Sequence, residues 1–489
     1  MSRIQTNVPS MLAQRVLAKQ NKGLVKSLER LSTGLRINRG ADDPAGLIAS
    51  ENLRSEKAAI SAAIGNAQRA EQVVNVAEGG LQEINSLLLE LQSLVGSSAN
   101  DAGVSVEEKD ANQLQIDSIL QTIDRVAGAT SFQGIKLLNG NFDYTTSGVS
   151  TNLNDVTINS AKLSDEAGAY MDITVDVLTS AQTGQIYLST GATLENGGNG
   201  SITFELTGAD GVQQFTFASG TAQASIISAI NTFSEALGVS AIQNTADTAR
   251  VEIHSTEFGS ANFVRLKTLE GTTDFLIATT ETAVTSTADL KDLGVDAVVL
   301  INGNQATASG LKARIATSGF DVSVTLDGTS ALNTDGASTT FQITGGGADF
   351  NLAPKVNLAG KVSLGIETVT GGNLGNSVDG YLTALKSGGT ANVINGDLTK
   401  AQKIVDEAIK QVSSLRGRLG AFQKNTIVAT VNSLGISLEN SAAAESTIRD
   451  TDFANETANL TRQQIMAQAA TQSLAIANAM PQNVLALLA

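Results

Sequence analysis

Residues 44–99 carry one long heptad pattern and read PAGLIASENLRSEKAAISAAIGNAQRAEQVVNVAEGGLQEINSLLLELQSLVGSSA. Stepping by seven from Leu53 meets an apolar residue each time: Ile60, Ala67, Val74, Leu81, Leu88 and Val95. A second apolar position follows three residues after most of these: Ala63, Ala70, Ala77, Ile84 and Leu91. Such a repeat is typical of a coiled-coil seam. It predicts one helix from Pro44 to Ala99, roughly 80 Å long at 1.5 Å per residue, which needs partner helices.

Two other segments supply candidate partners for this helix. One runs from Asp110 to Val126, and the other runs from Leu398 to Leu438, where the apolar register slips near Thr426. We expect the three helices to pack through a shared apolar seam. The seam residues are Leu53, Ile60, Val74, Leu81, Leu88, Val95, Val405, Val412 and Leu419.

Shorter apolar stripes lie at the two ends of the chain. The first contains Leu17, Leu24, Leu28, Leu31 and Leu35, and the second contains Phe453, Leu460, Ala467 and Leu474. Between the first stripe and the long helix, Gly34, Gly40 and Asp42-Asp43-Pro44 predict a connector and a helix start. The chain is therefore expected to begin and end with amphipathic helices.

The middle of the chain has a different pattern, dense in Thr, Ser, Gly, Asn and Asp. Alternating runs predict strands near 202–206, 215–217, 251–254, 297–302, 322–326 and 339–343, with one short helix near 222–237. The predicted fold class is multi-domain. Paired N- and C-terminal segments form an α-helical coiled-coil core, and one or two β-rich or α+β domains are inserted at about 145–385.

Composition excludes several classes of function. The 489 residues include no cysteine and one histidine, so thiol chemistry and a Cys-ligated metal are excluded. The net charge is −16, and the middle holds most of it, so nucleic-acid binding is not expected. No stretch is apolar enough for membrane insertion, and the start MSRIQTNVPS lacks the pattern of a cleaved secretory signal.

The terminal stripes raise the question of what covers them. Five leucines on a short helix bury too little area to offset the cost of ordering both ends within one molecule. Such ends become ordered when apolar surface arrives from neighbouring copies, and a contact that does not close produces a helical filament. An intramolecular coiled-coil stalk is the alternative that periodicity alone leaves open.

Specific strings at both ends resemble bacterial flagellin. At the N-terminus they are LSTGLRINR (31–39), GADDPAGL (40–47) and AEQVVNVAEG (70–79); at the C-terminus they are ESTIRDTDF (445–453), QQIMAQ (463–468) and AMPQNVLALL (479–488). The resemblance covers about residues 1–145 and 390–489. It implies a structural subunit that self-assembles into the flagellar filament for swimming motility, with the terminal helices in the filament core.

The resemblance also implies a division of the chain and a set of assembly residues. The implied domains are 1–40 (N-terminal inner-core helix and connector), 41–145 (outer-core helices and a hairpin at Phe132–Phe142), 146–385 (variable surface domain), 386–443 (C-terminal outer-core helix) and 444–489 (C-terminal inner-core helix). The implied polymerisation residues are Leu17, Leu24, Leu28, Leu31, Leu35, Phe453, Leu460, Leu474, Val484, Leu485 and Leu487.

Partners follow from the same resemblance. They are further copies of the chain, an export chaperone, the flagellar type III export apparatus, and the hook-associated junction and cap proteins. The expected location is the extracellular filament, reached without a cleaved signal peptide. No cofactor is implied.

Two other functions stay open at this stage. A hook-filament junction protein shares the terminal architecture, and a filament subunit could carry an adhesive middle domain. In that middle, Ala229-Ile-Asn231 and Val298–Gly303 (VVLING) resemble the IN motif of flagellins and hook-associated proteins. An enzyme is not expected, because His254 stands alone in an alternating run and no nucleophile-base or metal constellation is visible.

One departure from the family pattern concerns the surface that the vertebrate Toll-like receptor for flagellin recognises. The corresponding run is LELQSLVG (89–96), which includes Leu89 and retains Leu94. Glu90 stands where a basic residue is expected, and Ser93 stands where a Glu is expected. The charge at this surface is therefore altered, and we expect weak activation of that receptor.

Overall fold

The computed structural model describes most of the chain. The described residues are 6–100, 103–164, 166, 168–189, 201–245, 248, 250–270, 276–278 and 289–488, with side chains described to residue 480. The chain divides into two units. The terminal unit comprises Met1–Glu71, Asn351–Gly360 and Gln423–Ala489, and the central unit comprises Gln72–Phe350 and Lys361–Phe422.

The helices dominate both ends of the sequence. They are α1 (Val8–Thr33), α2 (Pro44–Ser98), α3 (Val106–Ala129), α4 (Gln223–Thr232), α5 (Ser234–Leu237), α6 (Leu398–Ala421), α7 (Ala429–Arg449) and α8 (Phe453–Leu488). Short 3-10 helices span Leu358–Gly360 and Leu382–Leu385, and a π-helix spans Phe422–Val428. The helix predicted for Pro44–Ala99 is confirmed to within one residue.

The strands lie almost entirely between α3 and α6. They are β1 (Ser131–Phe132), β2 (Ile135–Lys136), β3 (Tyr144–Ser147), β4 (Leu153–Ala161), β5 (Met171–Thr179), β6 (Gln185–Ser189), β7 (Ser201–Thr207), β8 (Val212–Ala218), β9 (Val239–Gln243), β10 (Arg250–Ser255), β11 (Phe263–Glu270), β12 (Leu276–Ala278), β13 (Asp289–Leu293), β14 (Val298–Ile301), β15 (Asn304–Gln305), β16 (Thr307–Ser309), β17 (Lys312–Ala316), β18 (Phe320–Leu326), β19 (Ser338–Gly346), β20 (Ala348–Asn351), β21 (Lys361–Leu364), β22 (Gly375–Asn376) and β23 (Gly380–Tyr381). Helical ends with a β-rich middle confirm the predicted fold class.

In the central unit, α2, α3 and α6 are joined by polar side chains at the edges of an apolar seam. Gln92 of α2 donates to Asp406 of α6 at 2.6 Å, and Asn112 of α3 donates to Ser98 of α2 at 3.0 Å. The seam residues of these helices are fully or almost fully buried: Val74, Leu81, Leu88, Val95, Val405, Val412 and Leu419. In the terminal unit Ile60 is also buried, whereas Leu53 is half-buried.

A π-helix interrupts the last long helical stretch. It occupies Phe422–Val428, where the apolar register slips near Thr426. A π turn holds more residues than an α turn, so the helical register shifts at this point. Helical geometry then continues to Arg449. The predicted boundary between residues 443 and 444 lies inside α7, and the helix ends at Arg449.

The β-rich part of the central unit contains two hydrophobic cores. The first lies between the sheets β15-β14-β5-β19-β3 and β16-β17-β18-β4. The second lies between the sheets β12-β6-β10-β9 and β13-β11-β7-β8, together with α4. The second core is an insertion into the first, because the chain leaves at Gln182 and returns at Val295, where the two residues form an isolated antiparallel bridge.

The two IN-motif asparagines perform the same structural task, one in each core. The Asn231 side chain accepts the Ala241 N–H at 2.7 Å and donates to the Ala241 carbonyl at 2.9 Å. The Asn302 side chain accepts the Thr174 N–H at 2.7 Å and donates to the Asp172 carbonyl at 3.1 Å. Each carboxamide thus replaces a neighbouring strand along an exposed backbone edge.

Asn302 also begins a tight turn. Asn302 and Gly303 have φ of 50° and 75° and connect β14 to β15, whose register pairs Ile301 with Asn304. A two-residue hairpin loop with positive φ at both positions favours Asn-Gly, because most side chains are strained there.

Candidate assembly surface

The two ends of the chain form an antiparallel helical hairpin within the terminal unit. Its pairing is polar at several points along its length. Asn7, which caps α1, donates to the Ala477 carbonyl at 2.8 Å, and Ser10 donates to Asn478 at 2.7 Å. At the opposite end of the hairpin, Arg30 forms an ion pair with Glu456 at 3.4 Å.

The hairpin is closed by the two connectors that follow α1 and precede α8. The α1 helix ends at Gly34, whose φ of 74° suits a residue without a side chain. Leu35 then forms a bridge with Asp450, the Arg36 N–H donates to the Arg449 carbonyl at 2.7 Å, and the Thr451 N–H donates to the Gly34 carbonyl at 2.9 Å. The strings around residues 31–39 and 445–453 are therefore in contact.

Asp42 and Asp43 order the N-terminal connector. Asp42 accepts the backbone N–H groups of Asn38 and Arg39 and pairs with Lys26 at 2.7 Å. The hydrogen bond from Lys26 is the largest cause that lowers the pKa of Asp42. Asp43 accepts the Gly46 N–H at 2.9 Å, which satisfies one of the free donors in the first turn of α2.

The α1–α8 hairpin buries different types of side chain from those that an ordinary hydrophobic core buries. The buried side chains of α1 and of the described part of α8 are small or polar: Ser10, Ser27, Glu456, Ala470 and Ala477. Ten large apolar side chains are exposed by 40–64%: Val8, Met11, Leu12, Val16, Val25, Leu28, Phe453, Ile465, Ile476 and Met480. We call this set the exposed apolar set. A dense apolar surface of this kind marks an interaction site.

A groove of about 520 Å³ runs between the two helices of the hairpin. Leu12, Val16, Ile476 and Met480 from the exposed apolar set line it, together with Pro9, Ala13, Met466, Ala469, Ala470, Ser473, Ala477 and Gln20. Its walls are apolar except for one hydroxyl and one carboxamide.

The sequence-predicted polymerisation residues lie partly on this surface. Leu28 and Phe453 are exposed by 47% and 57%. Six others are half-buried: Leu17, Leu24, Leu31, Leu35, Leu460 and Leu474. The side chains of Val484, Leu485 and Leu487 lie outside the described residues.

Several surface residues were missed by heptad reasoning. Met11 and Leu12 precede the first chosen leucine, Leu17, and Val25 falls between Leu24 and Leu28. Ile465 falls between Leu460 and Leu474, and Ile476 lies beyond Leu474. The hint in the sequence is that apolar residues occur around most of each terminal helix rather than on one stripe. A helix that is apolar on several faces is buried on several faces.

The receptor-like surface belongs to the central unit. Leu89 is 49% exposed, and Glu90 is exposed and accepts a hydrogen bond from Gln115 at 3.1 Å. Leu94 is half-buried. The Glu90 carboxylate is therefore held on the outer face of α2 by α3.

The single histidine and the candidate metal ligands were also located in the structure. His254 lies on β10, where burial lowers its pKa, and within the described ranges no group of three His, Cys, Asp or Glu side chains could hold a metal ion. None of the helices described has a long enough apolar run to cross a membrane.

Comparison with known families assigns both ends of the chain. Residues 4–143 match the model of the bacterial flagellin N-terminal helical region. Residues 402–488 match the model of the bacterial flagellin C-terminal helical region. The α1–α8 hairpin is therefore built from the two segments that these models describe.

Full-length relatives are also flagellins. Flagellin from Salmonella muenchen is 30% identical over 525 aligned residues, and the alignment covers 99% of each chain. Flagellin A from Helicobacter pylori is 28% identical over 535 aligned residues, with the same coverage. The solved structure of FliC from Burkholderia pseudomallei covers 72% of this chain and 98% of its own, at 17% identity and a TM-score of 0.25, so the assignment rests on the sequence matches.

Proposed function

The chain belongs to the bacterial flagellin family, and we propose that its paired terminal helices form the core of the filament by covering the exposed apolar sets of neighbouring copies. Flagellins are the structural subunits of the flagellar filament, and this chain is such a subunit, located outside the cell in the flagellum. Neither family model favours a hook-junction protein.

The reversed burial of the α1–α8 hairpin carries the proposal for the core. Exposed large side chains such as Met11, Ile465 and Ile476, which are a little over 60% exposed, gain about 1–2 kcal/mol each when they are fully buried. The hairpin itself leaves them exposed, and its fully buried positions are small or polar. Neighbouring hairpins that present the same set can bury them.

This role assigns each part of the chain to a layer of the filament. Residues 1–40 and 444–489 would form the inner core, 41–145 and 386–443 the outer core, and 146–385 the outward-facing domain. The polymerisation residues proposed from the sequence, Leu17 to Leu35 and Phe453 to Leu487, join the exposed apolar set at the inner contacts. The fully buried side chains of Leu81, Leu88 and Val412 support a structural role for the seam residues within each subunit.

Transport and capping require partners other than the chain itself. An apolar hairpin surface aggregates if it is free at high concentration, so a chaperone on the C-terminal helix before export is the expected safeguard. The proposed route out of the cell is the flagellar type III export apparatus, without a cleaved signal. The junction and cap proteins are the other proposed partners. Family membership supports each of these.

We propose no catalytic activity for the chain. Flagellins are structural proteins, and the residue types that would support hydrolysis or redox chemistry are sparse in this sequence, which has no cysteine and one histidine.

Seeded polymerisation tests the proposal. Purified chain added to sheared filament seeds should extend them, and a deletion of residues 482–489 should abolish extension while the circular dichroism of the β-rich domains is retained. An equally long deletion of residues 281–288, in the middle of the chain, is the matched control and should permit filaments. Normal extension by the first deletion would show that the C-terminal helix is not an inner packing element.

A further inference from the structure

Among the described residues, every edge strand of the two β cores except one is short, charged or covered, which protects it from strand addition. Unpaired edges recruit strands from other chains unless they are short, charged or covered. The edge strand β9 is capped by Asn231, and the edge of β4 is covered where the Gly365 N–H donates to the Asn159 carbonyl at 2.8 Å. The edge strands β15, β16, β12 and β3 have two to four residues.

The sheet β13-β11-β7-β8 has one protected edge and one that is not. The outer strand β13 reads DLKDL and carries Asp289, Lys291 and Asp292. The opposite outer strand β8 reads VQQFTFA, with seven residues and neither charge nor proline. Its only strand neighbour among the residues described is β7. Alternate backbone N–H and C=O groups along its outer side therefore have no strand partner within that part of the chain.

The two faces of β8 also differ. Phe215 is buried and Phe217 is partly buried; their rings are stacked 6.2 Å apart and close to Phe204 of β7. Val212, Gln214, Thr216 and Ala218 alternate with them and are exposed. The strand thus has a regular apolar-in, polar-out pattern, which is the pattern that an added strand would have to match.

We propose that β8 pairs antiparallel with β8 of a second copy of this chain, so that the outward-facing domains of two subunits join through one continuous sheet. The proposal rests on the filament role, because assembly brings many copies close together. The β8 pairing is an additional contact between subunits, because contacts between the terminal helices do not require it.

The sequence of β8 favours a second copy over an unrelated strand. A two-fold axis at Phe215 places Phe215 opposite itself, Gln213 opposite Phe217, and Gln214 opposite Thr216. The apolar face of one sheet then continues into that of the other. No charged residue of either strand meets its counterpart, although each chain carries −16 overall.

The absence of cysteine from the chain allows a direct test of this register. Filaments assembled from an equal mixture of full-length Gln214→Cys and Thr216→Cys chains should give disulfide-linked dimers on mild oxidation, and the mixed 214–216 dimer should exceed either homodimer. The matched control is Thr340→Cys, an exposed threonine on the central strand β19, which should give few dimers.

Charge substitutions separate pairing from general electrostatic attraction. In the mixed-cysteine background, Thr216 of the Gln214→Cys chain and Gln214 of the Thr216→Cys chain are both changed to Lys or, separately, both to Glu. Either pair of changes should lower the yield of mixed dimer at least fivefold, because two like charges then lie directly opposite each other beside the axis. Opposite effects of Lys and Glu would assign the dimers to net charge and overturn the proposal.

The outcomes distinguish the contact from the filament role. Filaments with no more 214–216 dimers than the Thr340→Cys control would show that β8 does not pair with itself and is left for a strand of another protein. If no filaments form, the filament role fails, and the same mixture is oxidised as concentrated full-length chain. Dimers there support β8 pairing, and their absence overturns it.

Discussion

The hydroxyl group of Ser10 donates a hydrogen bond to the side-chain oxygen of Asn478 at 2.7 Å, which joins positions 468 residues apart in the sequence. Ser10 is buried, whereas Leu12 and Ile476 beside this pair are more than half exposed. The two ends of the chain are therefore matched to each other by small polar contacts. Several of their large apolar side chains remain exposed within one chain.

Substitutions in the exposed apolar set should weaken assembly without unfolding the subunit. For Leu12→Ser and Ile476→Ser we expect the unfolding free energy of the monomer to change by less than about 0.5 kcal/mol, because both side chains are exposed. Loss of about 1–2 kcal/mol of burial in the polymer should raise the critical concentration for filament growth roughly five- to thirtyfold.

Leu178→Ser is the matched control for these two variants. Leu178 lies on β5 in the central unit and is 52% exposed, against 51% for Leu12. It should leave the critical concentration unchanged. Equal effects of Leu12→Ser and Leu178→Ser, measured by sedimentation of seeded reactions, would contradict a special role for the terminal helices.

Removing the carboxamide of Asn231 should loosen one sheet edge. Asn231→Ala deprives the buried residue Ala241 of partners for its N–H and carbonyl, which costs about 1–3 kcal/mol. Hydrogen exchange should therefore accelerate at β9. Thr232→Ala, at the neighbouring exposed position, should leave exchange at β9 unchanged. Unaltered protection of β9 in Asn231→Ala would show that the carboxamide does not hold this edge.

Asp143 should make the central unit less stable as the pH rises. Burial raises its pKa, and the nearby carboxylate of Glu367 adds to the effect. Because the pKa is higher in the folded chain than in the unfolded chain, this contribution is fully present below about pH 3.9 and is lost as the pH rises through the raised value. Asp143→Asn cannot ionise, so its stability in urea should fall less between pH 4 and pH 8.

Asp327 provides a control of opposite sign. Hydrogen bonds from the backbone N–H and the hydroxyl of Thr329 lower its pKa, so its contribution is present above the ordinary carboxyl pKa and is lost as the pH falls. Asp327→Asn should therefore reduce the loss of stability at acid pH. Identical pH profiles for Asp143→Asn and the wild type would refute the role of Asp143.

Glu90 should limit activation of the vertebrate Toll-like receptor for flagellin. The carboxylate lies exposed on α2, where the resemblance to flagellin predicts a basic residue, so Glu90→Arg should raise activation by purified monomer roughly tenfold in reporter cells. Glu83→Arg, an exposed position on the same helix, should change little. Full activation of the receptor by the unmodified chain would contradict a limiting role for Glu90.

The extent to which sequence predicted this molecule differs between its parts. Heptad spacing predicted α2 to within one residue, and the register slip near Thr426 marked the π-helix at Phe422–Val428. Both are local consequences of how often apolar residues recur. Short alternating runs likewise predicted strands such as β7 and β18, because a strand with one buried face needs only a period of two.

Contacts between distant residues were not predictable in the same way. Nothing local to Ser10 specifies Asn478, and nothing local to Gln182 specifies Val295, so neither the polar matching of the hairpin nor the insertion of the second core could be inferred. The exposed apolar set was missed in part for a related reason. A heptad search selects the stripe that one partner covers, and these helices have apolar residues on several faces.

Hydrogen exchange at the two ends, compared between isolated subunit and filament, tests the central claim most directly. The amides of residues 8–33 and 453–480 should exchange rapidly in the isolated chain, while those of the seam in α2 and α6 stay protected. In the filament the same terminal amides should become protected by several orders of magnitude. Full protection of both ends in a dilute subunit that does not form fibres would contradict the account.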